Sequence, residues 1–486
     1  MHRRIVTVAL AGLLAALAVA QPALAQRTTQ EEIIRGIIAT VPPLQHPLDG
    51  TLQPIRGSRL DAWLPEDDAE AREVLTALND RGVALTARWR VDNEGARALA
   101  LRLGRLQQEL GLPVSVHATA VMTGFFEGDP STLHVADDGS TFSWHLLGSR
   151  EMGCPFRLQE RAQAIRARWQ ALVDAYREAG VRIDLVSMDW YSDGPIEWNE
   201  AWEASKRCTV CREHIPDLDD FCAFQEAVRR VRGELQRTCA VEVVRASFPD
   251  ALIGNWAVHP HDGWRYWYDS YEELPEGAPF RRDQLARYRT WADEFAWTGY
   301  TYANPVCYPW NAMYPWYPDY PTDYRWFFLG LLSGSTCAQY TPAELPLITW
   351  VKWRPTPAAE GAQPAPAMSP ATYRELLAHL LLRGGDGFMM WCRAEEAVDE
   401  VGAIAPALDE ALTWREFLAE GEPVLFDVPR TPGTVVSALR LGDRLLVRRT
   451  DFEERPYPVE RRIGGVRVSI PPAPGRYQVI DLPRGE

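Results

Sequence analysis

Apolar and polar positions follow two periods along most of this chain. Short apolar runs typical of buried strands alternate with segments in which apolar residues recur at the 3.6-residue period of a helix. The strand-like runs are residues 82–90, 112–121, 183–190, 251–259, 298–308, 345–353 and 387–392. The clearest helical segments are residues 67–81, 94–111, 157–180 and 372–383. An early strand near residues 37–41 or 60–64 would give seven or eight βα units.

That count predicts an α/β fold of the (β/α)8-like TIM-barrel type, with eight strands or a distorted seven, over residues 26–420. A doubly wound open sheet is the alternative. No G-x-G-x-x-G or G-x-x-x-x-G-K-[ST] motif follows a strand, so that alternative lacks its usual nucleotide site. Beyond residue 421, short alternating runs separated by turn residues predict a small C-terminal β-sandwich over 421–486. These runs are residues 434–440, 444–449, 466–470 and 477–482.

The first 25 residues have the features of a secretory signal peptide. A basic start precedes an apolar run at 5–20 and a small-residue site, Ala23-Leu24-Ala25, so cleavage is expected before Gln26. We therefore expect a periplasmic or secreted protein. No other stretch approaches the ~18 apolar residues of a spanning helix, so no membrane insertion of the mature form is expected.

Charge and cysteine content bound the partners. The net charge of −15 argues against nucleic acid as a partner, since phosphate binding needs a basic face. Eight cysteines in an exported chain permit disulfides, whose pairing stays open. Cys208 and Cys211 have the C-x2-C spacing of a zinc site, but Cys222 and Cys239 are spread over a helical segment instead of forming a second such pair. Disulfides or free thiols are favoured, and neither a metal nor another cofactor is expected.

Candidate chemistry lies where the run 183–188 ends. In parallel α/β folds the residues just past a strand line the ligand site, which here are Asp189, Trp190, Tyr191, Asp193 and Glu197. The alternative is that Asp189 caps a turn and the tryptophans fill the core. The chain has no G-x-S-x-G or H-E-x-x-H motif. Paired carboxylates, which cleave glycosidic bonds, are the chemistry that remains best supported. Asp189 is the first candidate, Glu197 its favoured partner, and Asp193 follows.

Aromatic and polar residues recur at the other predicted strand ends. Tryptophan is the commonest aromatic residue, with 19 Trp against 17 Tyr and 15 Phe. Indole faces stack on the C–H faces of sugar rings, although any one tryptophan could equally be a core residue. Lys352 lies inside an apolar run, so we expect it to reach solvent or to pair with a site carboxylate. The predicted substrate-binding residues are Trp190, Tyr191, Asn255, Trp256, His259, Tyr302, Asn304, Lys352, Trp353 and Trp391.

Four short motifs, at residues 188–191 (M-D-W-Y), 254–256 (G-N-W), 349–353 (T-W-V-K-W) and 384–391 (G-G-D-G-F-M-M-W), resemble those of hyaluronidase-type glycoside hydrolases. The resemblance covers residues 182–391. It implies a TIM-barrel enzyme that cleaves O-glycosyl bonds in a polysaccharide or oligosaccharide. In that family the aspartate matching Asp189 orients the substrate's N-acetyl group, and a glutamate stands where this chain has Tyr191. Either another carboxylate is therefore the acid, or the mechanism differs from that of the family.

Two other function classes stay open from the sequence. The first is a carbohydrate-binding protein on a glycosidase-like barrel without catalysis, which Tyr191 at the acid position would fit. The second is a polysaccharide lyase or deacetylase that uses His259 or His261. The pair His259 and His261 with Asp262 is only a weak metal signal.

Overall fold

The computed structural model describes residues 28–61, 63–121, 130–144, 150–151, 153–189, 199–256, 291–307, 309–356 and 363–483. Its main part consists of parallel strands and the helices between them. In chain order the first ten strands of this description are β1 (Gln53–Gly57), β2 (Thr86–Arg88), β3 (Ser115–His117), β4 (Ser143–Trp144), β5 (Arg150–Glu151), β6 (Leu185–Met188), β7 (Leu252–Asn255), β8 (Val306–Cys307), β9 (Ile348–Val351) and β10 (Gly387–Met390).

The parallel strands form two four-stranded sheets, in the orders β2-β3-β6-β7 and β1-β10-β9-β8. Backbone hydrogen bonds connect the two sheets on both sides. Ile55 of β1 receives a bond from Ala84 at 3.0 Å and donates to Gly82 at 2.7 Å, and Thr301 donates to Ile253 of β7 at 3.0 Å. Because the strands of each sheet are parallel and the two sheets are hydrogen-bonded to each other, all these strands point their carboxyl ends in one direction. The short strands β4 and β5 pair antiparallel with each other.

Helices follow or precede these strands. Within the described ranges they are Gln30–Thr40, Asp68–Asn79, Glu94–Glu109, Pro155–Gln159, Ala162–Glu178, Asn199–Arg207, Thr209–His214, Phe221–Gln236, Glu242–Ser247, Trp291–Thr298, Thr322–Tyr340, Pro370–Leu381, Ala397–Leu412 and Arg415–Glu420. Their starts have local causes. The Asp67 carboxylate accepts bonds from two amides of the first turn, and Asn93 does the same for one amide.

Each of the seven strand-like runs contains a strand of the structure, but the early strand was placed wrongly. Residues 37–41 lie at the end of a helix that starts in a capping box of Thr29 and Glu32, and its isoleucines have helical spacing. Among the described residues of 60–64, Asp61 forms an isolated parallel bridge with Thr86, and no strand extends from it. The first strand is instead β1, whose sequence Q-P-I-R-G conceals it, because Pro54 and Arg56 are both unusual in a buried strand.

The interior between the parallel strands is filled by large apolar side chains. Its residues are Leu185, Tyr302, Val306, Ile348, Trp350 and Met389. A much larger core lies between the strands and the helices around them. No helix in the described part of the chain has the length and apolar character to cross a membrane.

The C-terminal part consists of antiparallel strands, β11 (Glu422–Pro423), β12 (Thr434–Leu441), β13 (Arg444–Asp451), β14 (Val459–Ile463), β15 (Val466–Ile470) and β16 (Tyr477–Asp481). One sheet has the order β11-β12-β13-β16, and β14 and β15 form a separate hairpin. Val435, Leu439 and Leu446 pack into the main core, whereas the opposite face of β12 and β13 packs on the hairpin. This arrangement agrees with the predicted short alternating strands.

Candidate functional site

A cavity of about 310 Å³ opens at the carboxyl ends of the parallel strands. Its size is at the lower end of the range for ligand pockets, roughly 300–1,000 Å³. The lining comes from the ends of most of these strands. The residues are Arg56, Gly57, Ser58, Asp61, Thr86, Arg88, His117, Ser187, Asp189, Trp256, Trp310, Trp350, Met389 and Trp391.

Four tryptophans form the aromatic part of the cavity. The rings of Trp310 and Trp391 are 6.2 Å apart between centroids and are tilted by 33°. Trp350 donates its indole N–H to Asn304 Oδ1 at 2.6 Å, which fixes its ring. Trp256 follows β7 directly. Large apolar ring faces in an open cavity provide a stacking surface for a flat, partly apolar ligand such as a sugar.

Asp189 is the carboxylate that follows β6 directly, and it is half-buried at the cavity. Backbone bonds set its surroundings. The Trp256 amide donates to Met188 O and the Ala118 amide donates to Ser187 O, both at 2.9 Å, so the ends of β3, β6 and β7 lie side by side. Asp189, Trp256 and His117 therefore come from three neighbouring strand ends and line the same cavity.

His117 lies at the end of β3, where two hydroxyl groups hold its ring. Nδ1 is 3.0 Å from Ser187 Oγ, and Nε2 is 3.0 Å from Thr119 Oγ1. Burial, together with the positive charge of Arg88, lowers the pKa of His117 to about 4. The imidazole is therefore neutral near pH 7. It acts there as a hydrogen-bonding group and not as a cation.

Two arginines balance the acids of the cavity. Arg88 forms an ion pair with Asp61, whose side chain is only 5% exposed, and Gln30 donates to the same carboxylate at 2.6 Å. Arg56 is buried and donates to Ser115 Oγ at 2.8 Å. Burial lowers its pKa to about 10, so it stays charged at neutral pH. Two side chains, Arg88 and Gln30, thus hold the Asp61 carboxylate in place.

A second ionic group lies behind Trp391. Lys352 is almost fully buried, with its Nζ 4.4 Å from the Trp391 ring centroid, 2.8 Å from Thr356 Oγ1 and 3.8 Å from Glu396. Burial lowers the pKa of Lys352, and the negative charge of Glu396 partly offsets this. Burial also raises the pKa of the neighbouring Glu400 to about 7. The lysine thus pairs with a carboxylate, but this pair supports the cavity from behind instead of lining it.

Of the residues predicted for the site, Asp189, Trp256 and Trp391 line the cavity. Asn255 is buried beside them at the end of β7, in register with Met188. The predicted residues Trp190, Tyr191, Asp193, Glu197 and His259 lie outside the described part of the chain, so their roles stay predictions.

Four predicted substrate-binding residues are displaced from the cavity. Tyr302 is fully buried in the strand interior, with its hydroxyl 3.4 Å from Val186 O. Asn304 is buried and holds Trp350, so it is a positioning residue. Lys352 lies behind Trp391. Trp353 points outward, stacks on Tyr373 and donates its N–H to Met368 O at 2.9 Å. Tyr302 and Asn304 thus lie one layer below the cavity, and Lys352 and Trp353, which follow β9, lie outside its lining.

Several cavity residues were missed by the sequence-based prediction. Arg56 and Asp61 belong to the misplaced first strand region. Thr86 and Arg88 share one face of β2 because they are two residues apart in a strand, and that alternation was the available signal. Trp350 of β9 also lines the cavity.

Another polar group, outside the cavity, consists of His134, Cys154, Cys208 and Cys211. All four side chains are buried, and their potential ligand atoms lie within 4.8 Å of one another. Cys239 is elsewhere, with its Sγ 3.4 Å from Ala162 O. The Cys222 side chain is outside the described residues.

No protein-family model matches this chain, and no curated protein matches it. Several solved structures do match this chain. A β-galactosidase from the psychrophilic Marinomonas ef1 is 12% identical, with a TM-score of 0.45 over 74% of this chain. An α-amylase from Lactobacillus plantarum is 12% identical, with a TM-score of 0.44 over 88% of this chain and 98% of its own. A GH42 β-galactosidase from G. stearothermophilus is 13% identical, with a TM-score of 0.43 over 76% of this chain.

The chain spans 61% and 58% of the lengths of these two β-galactosidases. These solved neighbours are glycoside hydrolases by their descriptions. At such low identities and TM-scores the likeness carries no weight for the chemistry of the cavity, which rests on the residues themselves.

Proposed function

We propose that this protein is an exported glycoside hydrolase that cleaves O-glycosyl bonds in a polysaccharide or oligosaccharide at the cavity. The observation that carries the proposal is Asp189, a half-buried carboxylate directly after a parallel strand, in a cavity with four tryptophans. The predicted signal peptide supports an exported enzyme. The acidic net charge is compatible with a neutral glycan.

The same proposal includes a (β/α)8-like barrel as the scaffold. Two four-stranded parallel sheets with hydrogen bonds on both of their sides have the strand count of such a barrel. The six large side chains between the strands resemble the layered filling of a barrel interior. In that fold the active site lies at the carboxyl ends of the strands, which is where the cavity opens.

In this mechanism the tryptophans bind sugar rings by their faces, and hydroxyl groups of the sugar are bound by polar groups such as His117 and Arg88. Asp189 serves as the carboxylate that attacks the anomeric carbon, activates water or orients a substrate group that attacks. A second acid protonates the leaving oxygen. Glu197 is the favoured candidate, with Asp193 behind it, because both follow Asp189 closely in the sequence.

Replacing Asp189 by asparagine tests the proposal. Loss of a positioned carboxylate should lower glycan cleavage by roughly 10²–10⁴-fold. The matched control is Asp184→Asn at the opposite end of the same strand, where the carboxylate accepts a bond from the Val114 amide at 2.7 Å. The measurement is release of reducing ends from a panel of polysaccharides. If Asp189→Asn and Asp184→Asn are equally active, the catalytic site lies elsewhere.

The role of Glu197 has its own test. A general acid is needed when the leaving group is a poor one, as a sugar alcohol is, and much less for an activated aryl leaving group. We expect Glu197→Gln to lose activity on the natural glycan but to retain most of it on an aryl glycoside with a good leaving group. Equal losses on both substrates would exclude Glu197 as the acid and make Asp193→Asn the next variant to measure.

The competing function is carbohydrate binding without catalysis on the same scaffold. It predicts that the wild-type protein binds a glycan by calorimetry but releases no product from it, and that binding is unchanged in Asp189→Asn. This outcome would replace the hydrolase proposal.

A further inference from the structure

The thiol cluster, defined as His134, Cys154, Cys208 and Cys211, has the donor set of a structural zinc site. All four residues are buried. The Cys154 and Cys211 sulfurs are 3.6 Å apart, the Cys154 and Cys208 sulfurs are 4.0 Å apart, and Cys211 Sγ is 3.5 Å from His134 Nδ1. Three sulfurs and one ring nitrogen therefore surround one common point.

These separations match the edges of a zinc tetrahedron. With Zn–S bonds of about 2.3 Å and Zn–N bonds of about 2.0–2.1 Å, a regular tetrahedron has S···S edges of about 3.8 Å and S···N edges of about 3.6 Å. The observed sulfur separations lie on either side of the first value, and the Cys211 to His134 separation is close to the second. The donors thus have the spacing for an ion at their centre.

The backbone holds the three contributing segments together independently of the sulfurs. The Cys154 amide donates to Thr132 O at 2.7 Å, and the Thr209 amide donates to Val135 O at 3.1 Å. Isolated bridges pair Leu133 with Gly153 and Ala136 with Cys208. The cluster is therefore a built feature of the fold, because its donors lie on segments that are already hydrogen-bonded to one another.

We propose that His134, Cys154, Cys208 and Cys211 bind one zinc ion. All four positions of the tetrahedron are protein ligands, so no position is left for water or substrate, and the ion is structural. This proposal replaces the expectation that the chain holds no metal. Of the cysteines first considered for zinc, Cys208 and Cys211 are retained, whereas Cys239 bonds elsewhere.

The position of the cluster suggests what the ion does. His134 and Cys154 lie in the segment after β3, and Cys208 and Cys211 lie in the segment after β6. These are the neighbouring strands whose ends carry His117 and Asp189. The ion would fix these two parts of the chain to each other. This role does not depend on the reaction that the cavity catalyses.

The test is metal analysis of the full-length protein purified without chelators. We expect about one zinc ion per chain, and after replacement by Co²⁺ we expect the charge-transfer and d–d bands of tetrahedral thiolate coordination. Cys211→Ser should lose zinc, and the matched control Cys239→Ser, which removes a buried thiol outside the cluster, should keep it.

A second measurement keeps the proposal decidable if Cys211→Ser does not fold. Thiol titration of the denatured wild type with a chelator should find all three cluster cysteines reduced. Two missing thiols, with no zinc and no Co²⁺ spectrum after reconstitution, would show a disulfide in place of the metal site and overturn the proposal. Full zinc content in Cys211→Ser would overturn the assignment of these ligands.

Discussion

The cavity and the thiol cluster both depend on β3 and β6, yet they are built from opposite chemistry. The cavity collects carboxylates, an imidazole and indoles from the ends of many strands, and it is open to a ligand. The thiol cluster collects three sulfurs and one nitrogen from three short segments, and all four side chains are buried. Oxygen donors with aromatic faces suit a sugar, whereas enclosed sulfur donors suit a soft metal ion.

The difference shows that residues after the same strands serve two purposes, ligand binding in the cavity and stability in the thiol cluster. In the cavity, polar groups are balanced by partners that a ligand can also reach, such as the Arg88 and Asp61 pair. In the thiol cluster the donors are buried and contact one another, so they are not presented to a substrate. Variants in the two places should therefore fail in different measurements.

The largest expected effect is loss of stability on metal removal. A ligand present at 1,000 times its Kd stabilises the folded state by about 4.1 kcal/mol, and structural zinc reaches this readily. We expect a strong chelator to lower the free energy of unfolding of the wild type by roughly 4 kcal/mol, measured by denaturant titration. Asp189→Asn should lose as much, because the cavity carboxylate takes no part in the site.

The variant Cys211→Ser is the internal control, since a chelator should not destabilise it further. If the wild type gave the same unfolding curve with and without chelator, the distinction between the cavity and the thiol cluster would be contradicted. The four side chains of the thiol cluster would then be ordinary buried side chains.

The next effect is on the cavity side and depends on pH. The pKa of His117 is held near 4, below about 6.5 in the unfolded chain, so the unfolded chain binds more protons between these values. Stability of the wild type should therefore fall as pH decreases from about 6.5 to about 4, by roughly 3 kcal/mol in all. His117→Gln should lack this part of the pH dependence.

Denaturant titrations of both proteins across that range measure the difference. His379→Gln is a useful comparison because His379 is buried at the C-terminal sheet, where burial holds its pKa well below the usual range. It should show the same sign. A constant difference between wild type and His117→Gln at all pH values would mean that the pKa of His117 is the same in the folded and the unfolded chain.

Strand positions were predictable from the sequence because buried parallel strands are short continuous apolar runs, as in β6 and β9. The level along a strand at which the interior opens into the cavity was not predictable. Tyr302 and Asn304 alternate correctly for one face, but they lie below the cavity. Neither β8 nor the residues before it carry a sequence signal for that level.

Parity along β9 explains another error. Lys352 and Trp353 are adjacent, so their side chains point to opposite faces of a strand and both cannot face one cavity. Trp350 takes the cavity position and Trp353 packs outward. The thiol cluster was unpredictable for a different reason, because His134 and Cys154 come from a distant segment and have no fixed spacing to Cys208 and Cys211.

Variants of Trp391 and Trp353 distinguish a residue that binds glycan from one that packs in the core. Trp391→Ala should weaken glycan binding by on the order of 1–3 kcal/mol, about 5–150-fold in Kd, because it removes a stacking face from the cavity. Trp353→Phe should leave glycan affinity unchanged but lower stability by about 1–3 kcal/mol, since Met368 O loses its buried partner. Calorimetric binding and thermal unfolding of both variants decide the assignment. Weaker binding by Trp353→Phe alone would reverse it.

The smallest effect concerns Tyr302, which the sequence placed among the substrate-binding residues. Its hydroxyl faces Val186 O in the strand interior and not the cavity, and the contact of 3.4 Å is a long hydrogen bond. Tyr302→Phe keeps the ring and its packing, so we expect no change in KM and a loss of stability of at most about 1 kcal/mol. Steady-state kinetics and thermal unfolding measure both quantities. A raised KM at unchanged stability would bring Tyr302 back into the cavity, and the boundary between the interior and the cavity would then lie one layer deeper than the structure has it.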